Sequence, residues 1–197
     1  MTTTRHWTSK DLDALIPQEG TRYEIIAGDL YVSHQPSWHH QYVCGMLHHL
    51  LQAWSLTTGL GAAVPAPGLI FAEDDDVAPD VVWISHPRFQ GALDRAGHLR
   101  VAPELVIEVL SPGRANARRD REVKRGLYGR RGVQEYWIVD PRAQTVDVYR
   151  PMDGVLAHVT RLTRQDTLTS PLLPGFTCAV GTLFAGRHED DQEEGLP

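Results

Sequence analysis

The chain has 197 residues, 42 % of them apolar, with 19 lysines and arginines against 25 aspartates and glutamates and a formal net charge of −6. That length fits one domain with a substantial core. No apolar run reaches spanning length and no charged-then-apolar leader opens the chain, so a soluble, unexported, cytoplasmic protein without a membrane is expected. Two widely separated cysteines, Cys44 and Cys178, fit reduced thiols.

The acidic balance argues against a nucleic-acid partner until its distribution is considered. Five acids (Glu189, Asp190, Asp191, Glu193 and Glu194) fall after Arg187, and setting them aside leaves 20 acids against 19 bases. Across 114–131, by contrast, eight bases stand against Asp120 and Glu122. A local excess of that kind is an electrostatic footprint for phosphate, with Arg114, Arg118, Arg119 and Arg121 as its candidates; it is equally the pattern of a solvated helix face.

In chain order, Thr8 caps a short helix over 9–16 that Pro17 stops. TRYEIIAGDLYVS then predicts a hairpin, strands 22–27 and 30–34, turning at Gly28-Asp29 and carrying Glu24 on its first strand. Residues 38–58 read as one long helix ended by Gly59, with Val43, Met46, Leu47, Leu50, Leu51 and Trp54 at core spacing. His40, Cys44 and His48 recur every four residues on that helix, a spacing that a zinc site or a core stripe would both produce. Residues 62–72, broken by Pro65 and Pro67, give an edge strand or two short pieces, and the acidic 73–76 reads as a solvated turn.

Two apolar runs bounded by proline follow, PDVVWIS and PELVIEVLSP, predicting buried strands over 80–85 and 105–110 with a polar loop over 87–103 between them. A helix over 115–131 ends at Gly132, EYWIVD forms a further buried strand, and a hairpin turns at Asp153-Gly154. A turn-rich segment closes the domain, and the acidic tail over 188–197 is expected to be disordered. The order implies an α/β or α+β domain with helices on a mixed sheet. Neither GxGxxG, GxxxxGK[ST] nor HExxH is present, so no nucleotide cofactor is expected.

A carboxylate inside a core strand, as at Ile107-Glu108-Val109, is costly unless it is paired or holds a metal. Asp80 opens the preceding strand, so the two acids converge if the strands are neighbours. Mg²⁺ or Mn²⁺ suits such a pair, and the Val109 carbonyl is a natural further oxygen ligand. Lys124 stands out because the chain has 17 arginines and only two lysines. A lysine near the ion orients or deprotonates the attacking water or stabilises developing charge. Asp120, four residues earlier, shares its helix face. Two acids and a lysine are the minimum equipment of a metal-dependent phosphodiesterase.

PDVVWIS, ELVIEVLSP, the spacing Asp120-x₃-Lys124-x₃-Tyr128, and GVQEYWIVDP together resemble the Uma2 (DUF820) restriction-endonuclease family, within the PD-(D/E)XK nuclease superfamily. The likeness extends to RYEIIAGDLYVS, the HHQ at 39–41 and TLTSPLLPG, and so covers nearly the whole chain. It implies a restriction-endonuclease-like core over 1–187 and Asp80 and Glu108 as metal ligands. The superfamily lysine, two residues after the glutamate, is here Leu110; Lys124 would be its migrated counterpart. Glu24 resembles an N-terminal acid that some members add to the site, and His40 and Gln41 are supporting candidates. The resemblance thus implies a Mg²⁺- or Mn²⁺-dependent endonuclease acting on DNA. The alternative is an inactive nuclease fold that binds DNA or protein, since a fold does not guarantee its activity. Two-stranded cleavage and the prevalence of two-fold symmetry motivate a homodimer.

Overall fold

The computed structural model describes residues 5–16 and 19–186, except the side chains of Arg114 and Ala115; the acidic 188–197 lies outside the described residues. The first helix, α1 (Ser9–Asp13), is shorter than expected. The Asp11 carboxylate accepts the Thr8 amide at 2.9 Å and so caps its start. Strands β1 (Thr21–Ile26) and β2 (Asp29–His34) form the expected hairpin, but its turn is Ala27-Gly28, one residue earlier than expected. Both turn residues have positive φ, 52° and 79°. Distant partners hold Ala27 there: its amide donates to Asp75 Oδ1 at 2.8 Å, and the Gly28 amide donates to the Asp74 carbonyl at 3.0 Å.

The long helix α2 (Trp38–Thr58) has the expected bounds, capped by the Ser37 hydroxyl and closed by Gly59 at φ 67°. Then come β3 (Gly61–Pro65), β4 (Leu69–Ala72) and β5 (Asp75–Val77). The acidic 73–76 is thus not simply a solvated turn: Asp75 opens a strand, is buried, and pairs with Arg131. Strand β6 (Val81–Ser85) leads into a one-turn α3 (His86–Phe89), and β7 (Leu105–Val109) follows the loop. One helical stretch runs through α4 (Arg114–Arg118), a π turn (Arg119–Lys124) and α5 (Arg125–Arg131) to Gly132. Strand β8 (Glu135–Asp140) precedes the hairpin β9 (Thr145–Met152) and β10 (Val155–Leu162), which turns at Asp153-Gly154 as expected. Short strands β11 (Thr167–Leu168) and β12 (Cys178–Ala179) and a 3₁₀ turn (Val180–Phe184) close the domain.

The fold is α+β. A six-stranded mixed sheet has the order β10-β9-β8-β7-β6-β3, in which only β7 and β8 are parallel. The helical stretch 114–131 is the crossover that parallel pair requires. A second sheet, β2-β1-β5-β4, carries the N-terminal hairpin. Period-two alternation divides β7 between two apolar layers. Leu105, Ile107 and Val109 pack with Leu47 and Leu51 of α2, Trp137 and Phe176. Val106 packs on the other face with Val82, Leu127, Tyr128, Tyr136 and Ile138. Each fully buried side chain of this size contributes about 1.5–3 kcal/mol to stability. Glu108 shares the second face by alternation. Val81 is opposite Ile107, so the next register position sets Asp80 beside Glu108. No helix among the described residues is long and apolar enough to cross a membrane.

Candidate active site

Glu108 is 3 % exposed, on the sheet face that carries the second apolar layer and Asp80 beside it. Its Oε1 accepts Lys124 Nζ at 3.0 Å and the Tyr128 hydroxyl at 2.7 Å. Lys124 Nζ is also 2.9 Å from Glu24 Oε1 and 3.9 Å from Asp120 Oδ1. Burial alone would favour the neutral amine, but Glu108, Glu24 and Asp120 outweigh it and hold Lys124 charged well above the usual lysine range. Glu24 is fixed in turn by the Ala78 amide at 3.1 Å. The π turn rotates less per residue than an α-helix, so Arg119 and Asp120 both face the side that Lys124 faces. The Asp120 carbonyl there accepts the Tyr136 hydroxyl at 3.0 Å.

Asp80 is held from three sides. The Val109 amide donates to Oδ2 at 2.9 Å, His40 Nε2 lies 3.2 Å from the same oxygen, and Arg22 Nη1 lies 3.4 Å from Oδ1. Burial pushes this carboxyl up, yet the His40 hydrogen bond and the charges of His40, Lys124 and Arg22 bring it down to about 2. Burial disfavours the imidazolium in turn, and the bond to Asp80 more than restores it, so His40 sits above its ordinary value.

Four carboxylates (Glu24, Asp80, Glu108 and Asp120) line one cleft of about 590 Å³ with Lys124, Arg119 and Arg22. The imbalance falls on Glu108. Burial raises its carboxyl, Lys124 opposes, and repulsion from Asp80, Asp120 and Glu24 adds to burial, to about 8. Burial likewise raises Asp120, against Lys124 and Arg119. A hard divalent cation accepts one or two protein carboxylates and keeps its remaining waters, and this cleft offers Asp80 and Glu108 side by side in register. Arg22 contributes the complementary feature: its Nη2 is buried without a hydrogen-bond partner among the described residues. An unsatisfied cationic N–H beside a cleft suits an anionic oxygen.

Of the residues expected from sequence, Glu24, His40, Asp80, Glu108, Val109, Arg119, Asp120 and Lys124 line this cleft. The Glu108 counter-ion is Lys124, while Arg118 is exposed and paired with Glu122 at 2.9 Å. Arg121 turns away to Asp147 at 2.7 Å and Asp140 at 3.8 Å. Gln41 is exposed and, among the described residues, reaches the His40 ring at 3.4 Å. Arg114 opens α4, but its side chain lies outside the described residues. Among the described residues, the group able to hold a transition metal is His40, Cys44 and Asp80; His48, whose spacing fits a zinc site or a core stripe alike, is not part of it. Burial and the charges of Asp80 and Glu108 push the Cys44 thiol far up. Sequence reasoning assigned no role to Arg22 or Tyr128. The available signals were the two-residue spacing of Arg22 from Glu24 on one strand face and the four-residue spacing of Tyr128 from Lys124.

A family model described as "Uma2: Putative restriction endonuclease" matches residues 10–181. Among solved structures the chain is similar to the crystal structure of "a putative nuclease belonging to DUF820" from Anabaena variabilis. That match has 20 % identity and a TM-score of 0.72, and covers 90 % of this chain and 97 % of the other. It shows a shared fold. No curated protein matches.

Proposed function

Because the chain belongs to the Uma2 family, we propose that it is a metal-dependent endonuclease that hydrolyses DNA phosphodiester bonds in the cleft between Asp80, Glu108 and Lys124. The observation that carries this reading is the charge arrangement at Glu108. A carboxyl held at about 8 by burial and three neighbouring acids is relieved by a divalent cation, and its lysine already stands 3.0 Å away. Asp80, Glu108 and the Val109 carbonyl would hold Mg²⁺ or Mn²⁺, which supplies an activated water and neutralises the phosphoryl oxygens.

The protein's own groups have separable tasks. Lys124, kept charged by Glu24, Glu108 and Asp120, acts as an ammonium that orients the attacking water and stabilises developing negative charge, not as the base. Tyr128 fixes the Glu108 oxygen that faces Lys124. The Val109 amide and His40 fix Asp80, and Gln41 braces the far side of the His40 ring. Arg22 offers its unsatisfied N–H to a phosphate oxygen of the bound strand. Arg119, in the cleft, is the arginine best placed for a neighbouring phosphate, with Arg118 outside it; Arg121, engaged by Asp147, serves the helix. Duplex DNA, a homodimeric assembly that cuts both strands, and a cytoplasmic setting complete the reading.

A second reading, a catalytically silent DNA- or protein-binding fold, is favoured by one observation. Val109, His40 and Arg22 already engage Asp80. Calorimetric titration of Mn²⁺ into the wild type, Asp80→Ala and Glu108→Ala, without and with a DNA duplex, separates the two. The nuclease reading expects saturable binding lost in both variants, and metal-dependent nicking of plasmid lost with it. Blank titrations of folded wild type under both conditions would leave the silent fold.

A further inference from the structure

A second donor set stands beside the carboxylates, and its chemistry differs from theirs. His40 and Cys44 lie four residues apart on α2, on the face that meets Asp80 at the head of β6. All three are buried, at 5 %, 7 % and 8 % exposure. Their ligand atoms lie within 4.8 Å of one another. Two separations are shorter: His40 Nε2 to Asp80 Oδ2 is 3.2 Å, and His40 Nδ1 to Cys44 Sγ is 3.5 Å.

With bonds of roughly 2.0–2.3 Å, two donors of a tetrahedral zinc ion lie about 3.3–3.6 Å apart. Both observed pairs therefore already have tetrahedral spacing. An ion takes one ring nitrogen, which brings in the donor beside that nitrogen. The third donor closes on it by about 1.5 Å at most, within reach of a side-chain rotation. His40 lines the catalytic cleft and also the neighbouring cleft of about 850 Å³, so the donor set is reached through His40 from both clefts.

We propose that His40, Cys44 and Asp80 form a binding site for a thiophilic divalent ion of the zinc class, and that its occupation withdraws Asp80 from the catalytic ion. A thiolate and an imidazole select zinc or cobalt over magnesium, which prefers oxygen donors throughout. On binding, the Cys44 thiol and the His40 imidazolium each release a proton to solvent, and the sulfur–metal and nitrogen–metal bonds form. One carboxylate then belongs to two alternative ions, and zinc becomes an inhibitor competitive with Mg²⁺. The inhibition rests on the nuclease reading; the site does not.

The test titrates Co²⁺ into the metal-free full-length chain and follows the thiolate-to-cobalt charge-transfer absorption in the near ultraviolet. A band that saturates at one equivalent and is displaced by Zn²⁺ is expected. Cys44→Ser should remove it, while Cys178→Ser and His48→Ala should keep it. Its absence from wild type, or its survival in Cys44→Ser, would overturn the site. X-ray absorption of the zinc-loaded wild type gives the same answer without a variant, one sulfur in the first shell being expected and none overturning it. In cleavage assays, one equivalent of Zn²⁺ should inhibit wild type at least ten-fold more than Cys44→Ser; equal inhibition would overturn the competition. A cobalt band in a chain that cleaves nothing would sink the nuclease reading and leave the site standing.

Discussion

Glu108→Gln should stabilise the metal-free protein, and the gain should grow with pH. Glu108 is wholly buried, and its carboxyl is raised from an ordinary 4.5 to about 8, by burial first and then by Asp80, Asp120 and Glu24. Between those values the unfolded chain has lost the proton that the folded chain keeps. Folding stability therefore falls as pH rises across that window. Each unit corresponds to about 1.4 kcal/mol, so wild type at pH 7 forgoes on the order of 3 kcal/mol relative to a chain without this titration. Glutamine keeps an acceptor for Lys124 and Tyr128 and removes the titration. The loss of the charge-assisted bond to Lys124 offsets about 1 kcal/mol of that gain. Urea unfolding followed by tryptophan fluorescence, in chelator at pH 4.5, 6 and 7.5, measures the difference. The two proteins should nearly coincide at pH 4.5, and the variant should lead by about 3 kcal/mol at pH 7.5. Saturating Mn²⁺ should reverse the order, because only wild type offers the carboxylate. A pH-independent gap, or a variant less stable at pH 7.5, would refute the reasoning that an excess of buried negative charge defines this site.

Lys124→Met removes the one ammonium shared by Glu24, Glu108 and Asp120, and should cost about 3–5 kcal/mol in urea melts at pH 7.5. Saturating Mn²⁺ should restore part of that stability while kcat falls on the order of 10²–10³-fold, and unchanged turnover would remove Lys124 from the chemistry. Arg22→Gln should raise KM for duplex and flatten the salt dependence of binding, and an unchanged salt dependence would remove Arg22 from the phosphate contact. Asp147→Asn, outside the cleft, leaves Arg121 and Arg161 without their shared carboxylate and should cost about 2 kcal/mol at neutral pH. Burial would raise Asp147, but its bonds to Arg161 and Arg121 hold it at about 2, below the ordinary 3.8, so its contribution is full above that ordinary value and fades as pH falls toward 2. The gap between Asp147→Asn and wild type should therefore close in acid melts.

What the sequence by itself determined is whatever depends on neighbours along the chain. The bounds of α2, the turn at Asp153-Gly154, the strands around PDVVWIS and ELVIEV, and the closure of the crossover helix at Gly132 follow from periodicity and turn chemistry within a few residues. A carboxylate inside or at the head of an apolar strand is itself a local signal, which is why Asp80 and Glu108 stand out in the sequence. Tertiary structure decided whatever depends on charge meeting charge across the fold. Ala27 accepts a left-handed turn because Asp75, far along the chain, binds its amide, and Asp75 is buried because Arg131 reaches it. Arg119 enters the cleft while Arg118 and Arg121 leave it, a choice made by the π turn and by Glu122 and Asp147. Cys44 finds Asp80 in place of His48, because helix periodicity sets which face a side chain occupies, while the packing of α2 against the head of β6 sets what that face meets.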